Sequence, residues 1–511
     1  VILPENLVRV SGPPGTGKST YLLNIVDSLL SQGVSPDEIV YTTFTRAGAY
    51  EARDRAAARF KLSAETLPYF RTIHSLCHSL MPSTQVMQIR DWGMIARTLG
   101  VYFSVRMQAD TEQIPHGYTR GDSLLTLWSL MRVCRKSIDQ VLLEQEMWIK
   151  GDRPVDKVEL AHFIQSVTNY KAEFGKIDFT DMLENWLRDG SDLKCDYLIV
   201  DEAQDLSPLQ WEVMHKMGKH AKKVWVAGDD DQCIHAWNGA STSHFIDLLA
   251  AENVVLPKSY RIPASVHRTA TEIVSRISRR IPKEYLPRDE EGSTTEVSDL
   301  HSINMSEGTW FLLARNTALL GDYVDVCKKK GYSFRHVLKS SDDAVYRQAA
   351  VTWNALCAGE AIGKDQTEAV ISMISKKQIM WGAKAGFSKN ESQGSTHTLQ
   401  SLIEKYGLKC DKNTRWFEAL DLIPEEIRTS LQKADSVEGL TVQPRILIST
   451  IHGVKGMEAD NVVIRTDMQM PTFLGYQRRP DDEHRVFYVG VTRAKKALWI
   501  YRSWGDKTYQ L

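Results

Sequence analysis

Short apolar runs rich in β-branched and aromatic residues recur towards both ends of the chain, each closing on a polar or glycine-bearing segment. The first set is "NLVRV" (6–10), "EIVYTTF" (38–44), "DYLIVDEA" (196–203) and "KKVWVAGD" (222–229). The second is "NVVLP" (253–257), "TWFLLAR" (309–315), "RILIST" (445–450), "NVVIRT" (461–466) and "ALWIYRS" (497–503). Uninterrupted apolar runs of this length, separated by helical patterns, predict parallel sheets covered on both faces. Two intervening stretches place apolar residues three and four apart, as amphipathic helices require. One covers 86–175 and includes "SLLTLWSLMRVCRKS"; the other covers 341–440 and includes "VYRQAAVTWNALCAG" and a polar loop, "SKNESQGSTHT". No internal repeat appears. The pattern predicts an α/β protein with two cores, each interrupted by a mainly helical insertion.

Composition adds bounds. The chain has 511 residues, 42% hydrophobic and 25% charged, with a net charge of −1. A wholesale basic coat for nucleic acid is excluded, though a local basic groove is not, because steering depends on charge distribution. No apolar run reaches the roughly 20 residues of a membrane span, and the first residues show no basic stretch followed by an apolar one, so secretion is not expected. Seven cysteines lie far apart with no C-x-x-C pair, which fits reduced thiols better than zinc or a disulfide framework. A cytoplasmic protein, in a bacterial or phage-infected cell, is expected.

Chemistry enters at "GPPGTGKST" (12–20), which fits the phosphate-loop pattern G-x-x-x-x-G-K-[ST]. Gly12, Gly15, Thr16 and Gly17 would let backbone N–H groups approach the phosphates at a helix N-terminus. Lys18 would reach the β- and γ-phosphates, Ser19 would ligate Mg²⁺, and Thr20 opens the helix. The alternative, a plain glycine-rich turn, explains neither the strand before it nor the helix after it. "YLIVDEAQD" (197–205) supplies acidic residues at the end of another strand. Asp201 would hold Mg²⁺, and Glu202 would orient and deprotonate water. ATP hydrolysis is therefore the leading chemistry.

At "DEAQD" a resemblance that runs along nearly the whole chain becomes specific: the sequence is similar to the superfamily 1A DNA helicases of the UvrD/Rep/PcrA type. The resemblance rests on an ordered series: "GPPGTGKST", "TTFTRAGAYEAR", "RTIHSLC", "DFTDML", "VDEAQDLSPLQ", "VAGDDDQCIHAWNGA", "LPKSYRIP", "FLLARNT", "STIHGVKGMEADNVVI" and "EHRVFYVGVTRAKKAL". It implies two RecA-like cores, 1–85 with 176–255 (1A) and 256–340 with 441–511 (2A). The insertions would be 86–175 (1B) and 341–440 (2B). It also implies ATP in a cleft between the cores, with Gln232 sensing the γ-phosphate and Tyr260 stacking on adenine. Arg261 and Arg493 would touch the γ-phosphate, and Glu458 the ribose. Arginines are needed because one lysine cannot balance charge spread over three oxygens, and an arginine finger is worth roughly 10³–10⁵ in rate.

Trp237, five positions after Gln232, matches a ring that stacks on a base of single-stranded DNA. Stacking contributes about 1–3 kcal/mol per base and tolerates any sequence. One short segment would then face ATP at one end and DNA at the other. The competing reading is a packed core tryptophan. Phe44 matches a second base-contacting aromatic, and Arg46 a phosphate contact. His74, His452 and Lys455 match residues near the DNA path or its junction with ATP, although a lone histidine serves equally well as a structural residue. The basic run Arg276–Lys283 reads as a solvated face.

Several departures stand out. Seventeen residues precede Lys18 and none is glutamine, so adenine selectivity is less constrained than hydrolysis. His235 and Asn238 stand where such helicases usually carry Tyr and Arg. Only 18 residues follow Arg493, so no partner-binding tail is expected. The implied activity is ATP-dependent, 3′-to-5′ translocation on single-stranded DNA with unwinding at single-strand/duplex junctions. Alternatives are a translocase that strips proteins from single strands and an ATP-sensing regulatory module of a DNA-processing or defence complex. A monomer is expected, with replication, repair or defence proteins as partners and no membrane.

Overall fold

Residues along the first set of strands alternate between two apolar layers. Leu198 and Val200 point into one with Val224 and Val226, where Trp186, Trp211 and Met214 cover them. Ile199, Trp225 and Ala227 point into the other, covered by Leu22, Val26 and Ala56. That two-sided burial is why these strands read as continuous apolar runs rather than alternating ones. The computed structural model describes residues 2–511 apart from 3, 45, 82–83, 105–118, 150–152, 191–192, 337–341, 393, 442 and 503–504.

The chain divides into two compact units, Val1–Glu290 with Leu474–Val489, and Glu291–Phe473 with Gly490–Leu511. The first carries a parallel sheet in the order Phe70–Thr72, Ile39–Thr43, Tyr197–Asp201, Lys223–Gly228, Leu7–Ser11, Glu252–Val255. Thr43 pairs with Asp201, and Ser11 with both Gly228 and Val255. The strands thus end together, and their carboxyl ends present one row of loops, where open α/β sheets bind ligands. "NVVLP", grouped with the later strands by sequence, forms the edge of this first sheet. Phe70–Thr72 is too short to have shown an apolar run.

The first insertion springs from a small parallel ladder, Gln85–Val86 against Lys176–Ile177. Helices Ile89–Leu99, Arg120–Val133, Ile138–Leu143 and Lys157–Phe174 enclose their own core around Leu127, Trp128 and Phe163. An ion cluster ties the insertion to the core helix Phe179–Asp189. Arg132 contacts Asp178 at 2.8 Å and Asp181 and Glu184 at 2.5 Å, while Lys171 adds Asp178 at 2.5 Å and Asp181 at 2.7 Å. Both cations lie over the Trp128 ring, at 4.8 and 4.5 Å from its centroid.

The second unit repeats the architecture, with a parallel sheet in the order Phe334–His336, Ile446–Thr450, Trp310–Ala314, Ala459–Arg465, Ala494–Tyr501, Ser293–Val297. Its helical insertion has a separate core that includes Trp353, Phe387 and Trp416. Within it the tract 388–398 is less open than its composition suggests: the helix Ala383–Asn390 runs into it, and Thr396–His397 pairs with Ile362–Gly363. Among the described residues no helix is long and apolar enough to cross a membrane.

The Arg132 cluster yields a prediction. Removing one partner of a buried ion cluster strands the others without compensation, at about 3–5 kcal/mol. Arg132→Ala is expected to lower the unfolding free energy by about that amount, read from urea denaturation.

Candidate functional site

The loop between Ser11 and Lys18 wraps the carboxyl end of the first sheet. The Gly12 N–H donates to the Gly228 carbonyl at 3.3 Å, and the Thr16 hydroxyl to the Pro13 carbonyl at 2.9 Å. Gly17 takes the left-handed conformation (φ 80°) and starts the helix Lys18–Ser31. Lys18 is almost fully buried, its ammonium donating to the Gly12 carbonyl at 2.6 Å. The loop thus curls over the strand end with a helix start beside it, an arrangement suited to an anion.

Ser19 and Asp201 meet across the sheet edge, Oγ to Oδ2 at 2.8 Å, and the Tyr41 phenol donates to the same carboxylate oxygen at 3.1 Å. Burial, then the neighbouring Glu202, pushes the Asp201 carboxyl above its ordinary range. A cation there would restore the charged form. Two hard oxygens at this separation suit adjacent ligands of Mg²⁺, whose bonds of about 2.0–2.1 Å space neighbouring oxygens about 2.9 Å apart. The pair therefore fits the metal that an ATP site needs. Glu202 itself sits at φ 55°, an uncommon conformation for a non-glycine residue, directly after the strand.

Tyr260 and Arg261 pack with the phosphate loop inside the first unit. The Tyr260 N–H donates to the Gly15 carbonyl at 2.8 Å, and the buried Ser259 hydroxyl to the Pro14 carbonyl at 2.9 Å. A Cβ on Gly15 would lie 2.5 Å from the Arg261 Cβ, so glycine there permits the contact. The Tyr260 ring remains 75% exposed beside Gly17, an open apolar face next to the loop. By sequence this segment belonged with the second core.

The stretch after Gly228 is anchored by charge. Asp229, Asp230 and Asp231 are fully buried and converge on Lys283 Nζ at 2.9, 2.5 and 2.7 Å. Burial acts to lower the Lys283 ammonium, but attraction to the three carboxylates outweighs it and holds it above the ordinary lysine value. Arg280 forks onto Asp231 at 2.9 and 2.6 Å. The acidic trio resembles a metal cage, yet a lysine ammonium already occupies its centre. Arg279 is exposed, as a solvated face requires, but Arg280 and Lys283 depart from that expectation, because spacing along the chain cannot reveal that Lys283 turns inward.

Gln232 donates from Nε2 to Asp229 Oδ2 at 2.7 Å and is nearly buried. Trp237 is half-buried and does not belong to the core. His235 meets it edge-on at 5.7 Å and stacks on Phe44 at 5.4 Å, so Phe44, His235 and Trp237 form an aromatic row. Gly239 abuts the end of the insertion helix Arg120–Val133: a Cβ there would lie 2.8 Å from Val133 Cγ2. Arg46 is exposed at the start of the helix Arg46–Phe60. His74 is buried in the helix Ile73–Ser79 with Phe179 edge-on at 6.3 Å, an inward rather than a solvent-facing position.

The remaining candidates lie in the second unit. Arg493 is buried, donating to the Met457 carbonyl and the Thr492 hydroxyl at 3.2 Å each. Glu458 is exposed, 3.6 Å from Lys495. His452 opens the short helix His452–Val454, and Lys455 follows it.

Comparison with known proteins agrees with this layout. Residues 1–251 match the UvrD/REP helicase N-terminal domain, and residues 339–504 the UvrD-like helicase C-terminal domain. The chain belongs to the UvrD/Rep/PcrA type of superfamily 1 helicases. Similar proteins include the ATP-dependent DNA helicase UvrD2 of Mycobacterium tuberculosis, 22% identical over 99% of this chain and 77% of that one. The ATP-dependent DNA helicase PcrA of Bacillus subtilis is 23% identical over 54% of this chain and 39% of its own. For DNA helicase II of Escherichia coli the values are 25%, 55% and 40%. The chain thus matches about two fifths of the length of the last two. UvrD-type motifs account for the phosphate loop and the "DEAQD" strand end. They gave no signal for the Tyr41 contact or for Lys283, which only the folded chain reveals.

Lys283→Met would remove the one ammonium shared by the three buried carboxylates and leave Arg280 on Asp231 as the remaining cation of the trio. A stability loss of about 3–5 kcal/mol is expected near neutral pH. Asp230 is already raised above the ordinary carboxylate value, chiefly by burial. Without the ammonium, whose attraction opposes that burial, Asp230 rises further, so the deficit should shrink as acid protonates it. Urea unfolding across the acid range checks the sign.

Proposed function

We propose that this chain is an ATP-driven motor on single-stranded DNA that moves 3′ to 5′ and unwinds duplex ahead of it, a superfamily 1A activity. The observation that carries the reading is the segment 229–239. Gln232 is fixed beside the phosphate-loop edge of the sheet, while Trp237 extends an aromatic row through His235 to Phe44. A displacement at the nucleotide would move a base-stacking ring. Lys18 and Ser19 would hold the phosphates and Mg²⁺, with Asp201, 2.8 Å from Ser19, as a second metal ligand and Glu202 as the group that activates water. Tyr260 offers its exposed face to adenine, and Arg261 its charge to the phosphates. Arg46 and Lys455 supply sequence-independent, salt-sensitive DNA contacts. Mg-ATP, single-strand/duplex junctions and a cytoplasmic setting follow from the same reading.

The deciding experiment is ATP-dependent strand displacement on matched duplexes with a 3′ or a 5′ single-stranded tail. Displacement from the 3′ tail alone is expected; displacement from the 5′ tail alone overturns the direction. DNA-stimulated ATPase without displacement would instead identify a stripping translocase, and ATP turnover indifferent to DNA a regulatory module.

Two substitutions separate the ends of the segment. Lys18→Ala is expected to abolish turnover while single-strand binding persists. Trp237→Ala should weaken single-strand binding by roughly 10- to 100-fold, the equivalent of losing one stacked base, with basal hydrolysis less affected. Fluorescence anisotropy and a coupled ATPase assay read the two effects.

A further inference from the structure

Gln204, the fourth residue of "DEAQD", is fully buried and spans two functional segments. Its Nε2 donates to Glu202 Oε2 at 2.5 Å and to Asp205 Oδ2 at 3.3 Å. Its Oε1 accepts the Asp229 N–H at 3.0 Å. Two carboxylates on one side of the amide and an N–H on the other fix its orientation chemically, since the flipped amide would oppose like groups on both sides. Asp229 in turn accepts from the Gln232 amide at 2.7 Å. The chain of contacts Glu202–Gln204–Asp229–Gln232 is continuous. At its centre Gly228 leaves room for the amide: a Cβ there would lie 2.5 Å from Gln204 Oε1.

We infer that Gln204 is a positioning residue that couples the water-activating Glu202 to the loop bearing Gln232 and Trp237, so that DNA occupancy of the loop aligns the base. The inference rests on the functional reading above. Gln204 is fully buried and acts through others: it sets where Glu202 points, and it takes its own position from the backbone of the loop. A base misaligned by a fraction of an ångström loses much of its contribution, which for general-base catalysis is about 10²–10⁴-fold. Coupling through Gln204 makes that alignment depend on the loop, so its removal should lower turnover and also erase the sensitivity to Trp237.

The test measures ATP turnover of the full chain with and without saturating oligo-dT, and binding of a fluorescent ATP analogue. The variants are Gln204→Met, Trp237→Ala and the double substitution. Gln204→Met should cut DNA-saturated kcat by about 10²-fold while changing analogue affinity less than about threefold. Trp237→Ala should cost about tenfold in DNA-saturated kcat in the parent but less than about twofold in the Gln204→Met background, the signature of two residues acting as one unit. Equal costs on both backgrounds, or a loss confined to ATP binding, would overturn the inference. Should Gln204→Met not fold, the same comparison is made with Gln204→Glu, which keeps the side-chain shape but loses the donor to Glu202, and with Gly228→Ala, which displaces the amide. Parent turnover that ignores oligo-dT would sink the functional reading and this inference together; stimulated parent turnover that Gln204→Met leaves intact sinks this one alone.

Discussion

Three consecutive carboxylates cannot remain charged inside a protein without a cation among them, and the first unit is organised around satisfying that demand. Burying Asp229, Asp230 and Asp231 brings Lys283 into the interior and draws Arg280 onto its rim. An isolated buried ion loses several kcal/mol of hydration that only close, well-aligned partners restore. The segment after the strand Lys223–Gly228 therefore has little freedom in where its backbone runs. The anchor holds residues 229–231, so Gln232 and the Asp229 N–H that Gln204 reads have defined places, while Trp237 lies beyond it, half-buried in its aromatic row.

The sheet supplies the other half of the constraint. Parallel strands in register end along one line, so the phosphate loop, Asp201 and Asp229 arise from neighbouring strand ends although they are far apart in sequence. The strands need only be apolar on both faces; the chemistry is carried by the first few residues beyond them. Many apolar sequences satisfy that demand, so overall identity to similar helicases can fall to 22–25%.

How much was legible follows from the same division. Apolar runs and three-four periodicity located both sheets and both helical insertions, because two-faced burial leaves a strong local signature. Glycine spacing revealed the phosphate loop, since "GPPGTGKS" encodes a backbone shape. Strand Phe70–Thr72 escapes because three residues cannot display a period, and the pairing of "NVVLP" with Leu7–Ser11 is not legible because partner choice is not local. Lys283 was read as surface because its neighbours are basic and exposure is the usual fate of such runs. Its burial depends on three aspartates about fifty positions earlier. Charge pairing at that distance leaves no periodic trace.

Gln204 illustrates the remaining kind of invisibility. It sits inside a motif whose acidic residues draw attention, yet nothing about a glutamine in sequence says that both ends of its amide are used. Folding makes the residue informative, because complementary groups on its two sides allow a single orientation. A methionine could fill the same volume and a glutamate the same shape, but neither could donate at one end and accept at the other. The requirement for an amide, rather than for bulk or charge, is what separates a coupling element from a packed residue. It also explains why such an element can sit at full burial: every polar atom it brings inside is matched, so its desolvation is compensated while its geometry stays rigid.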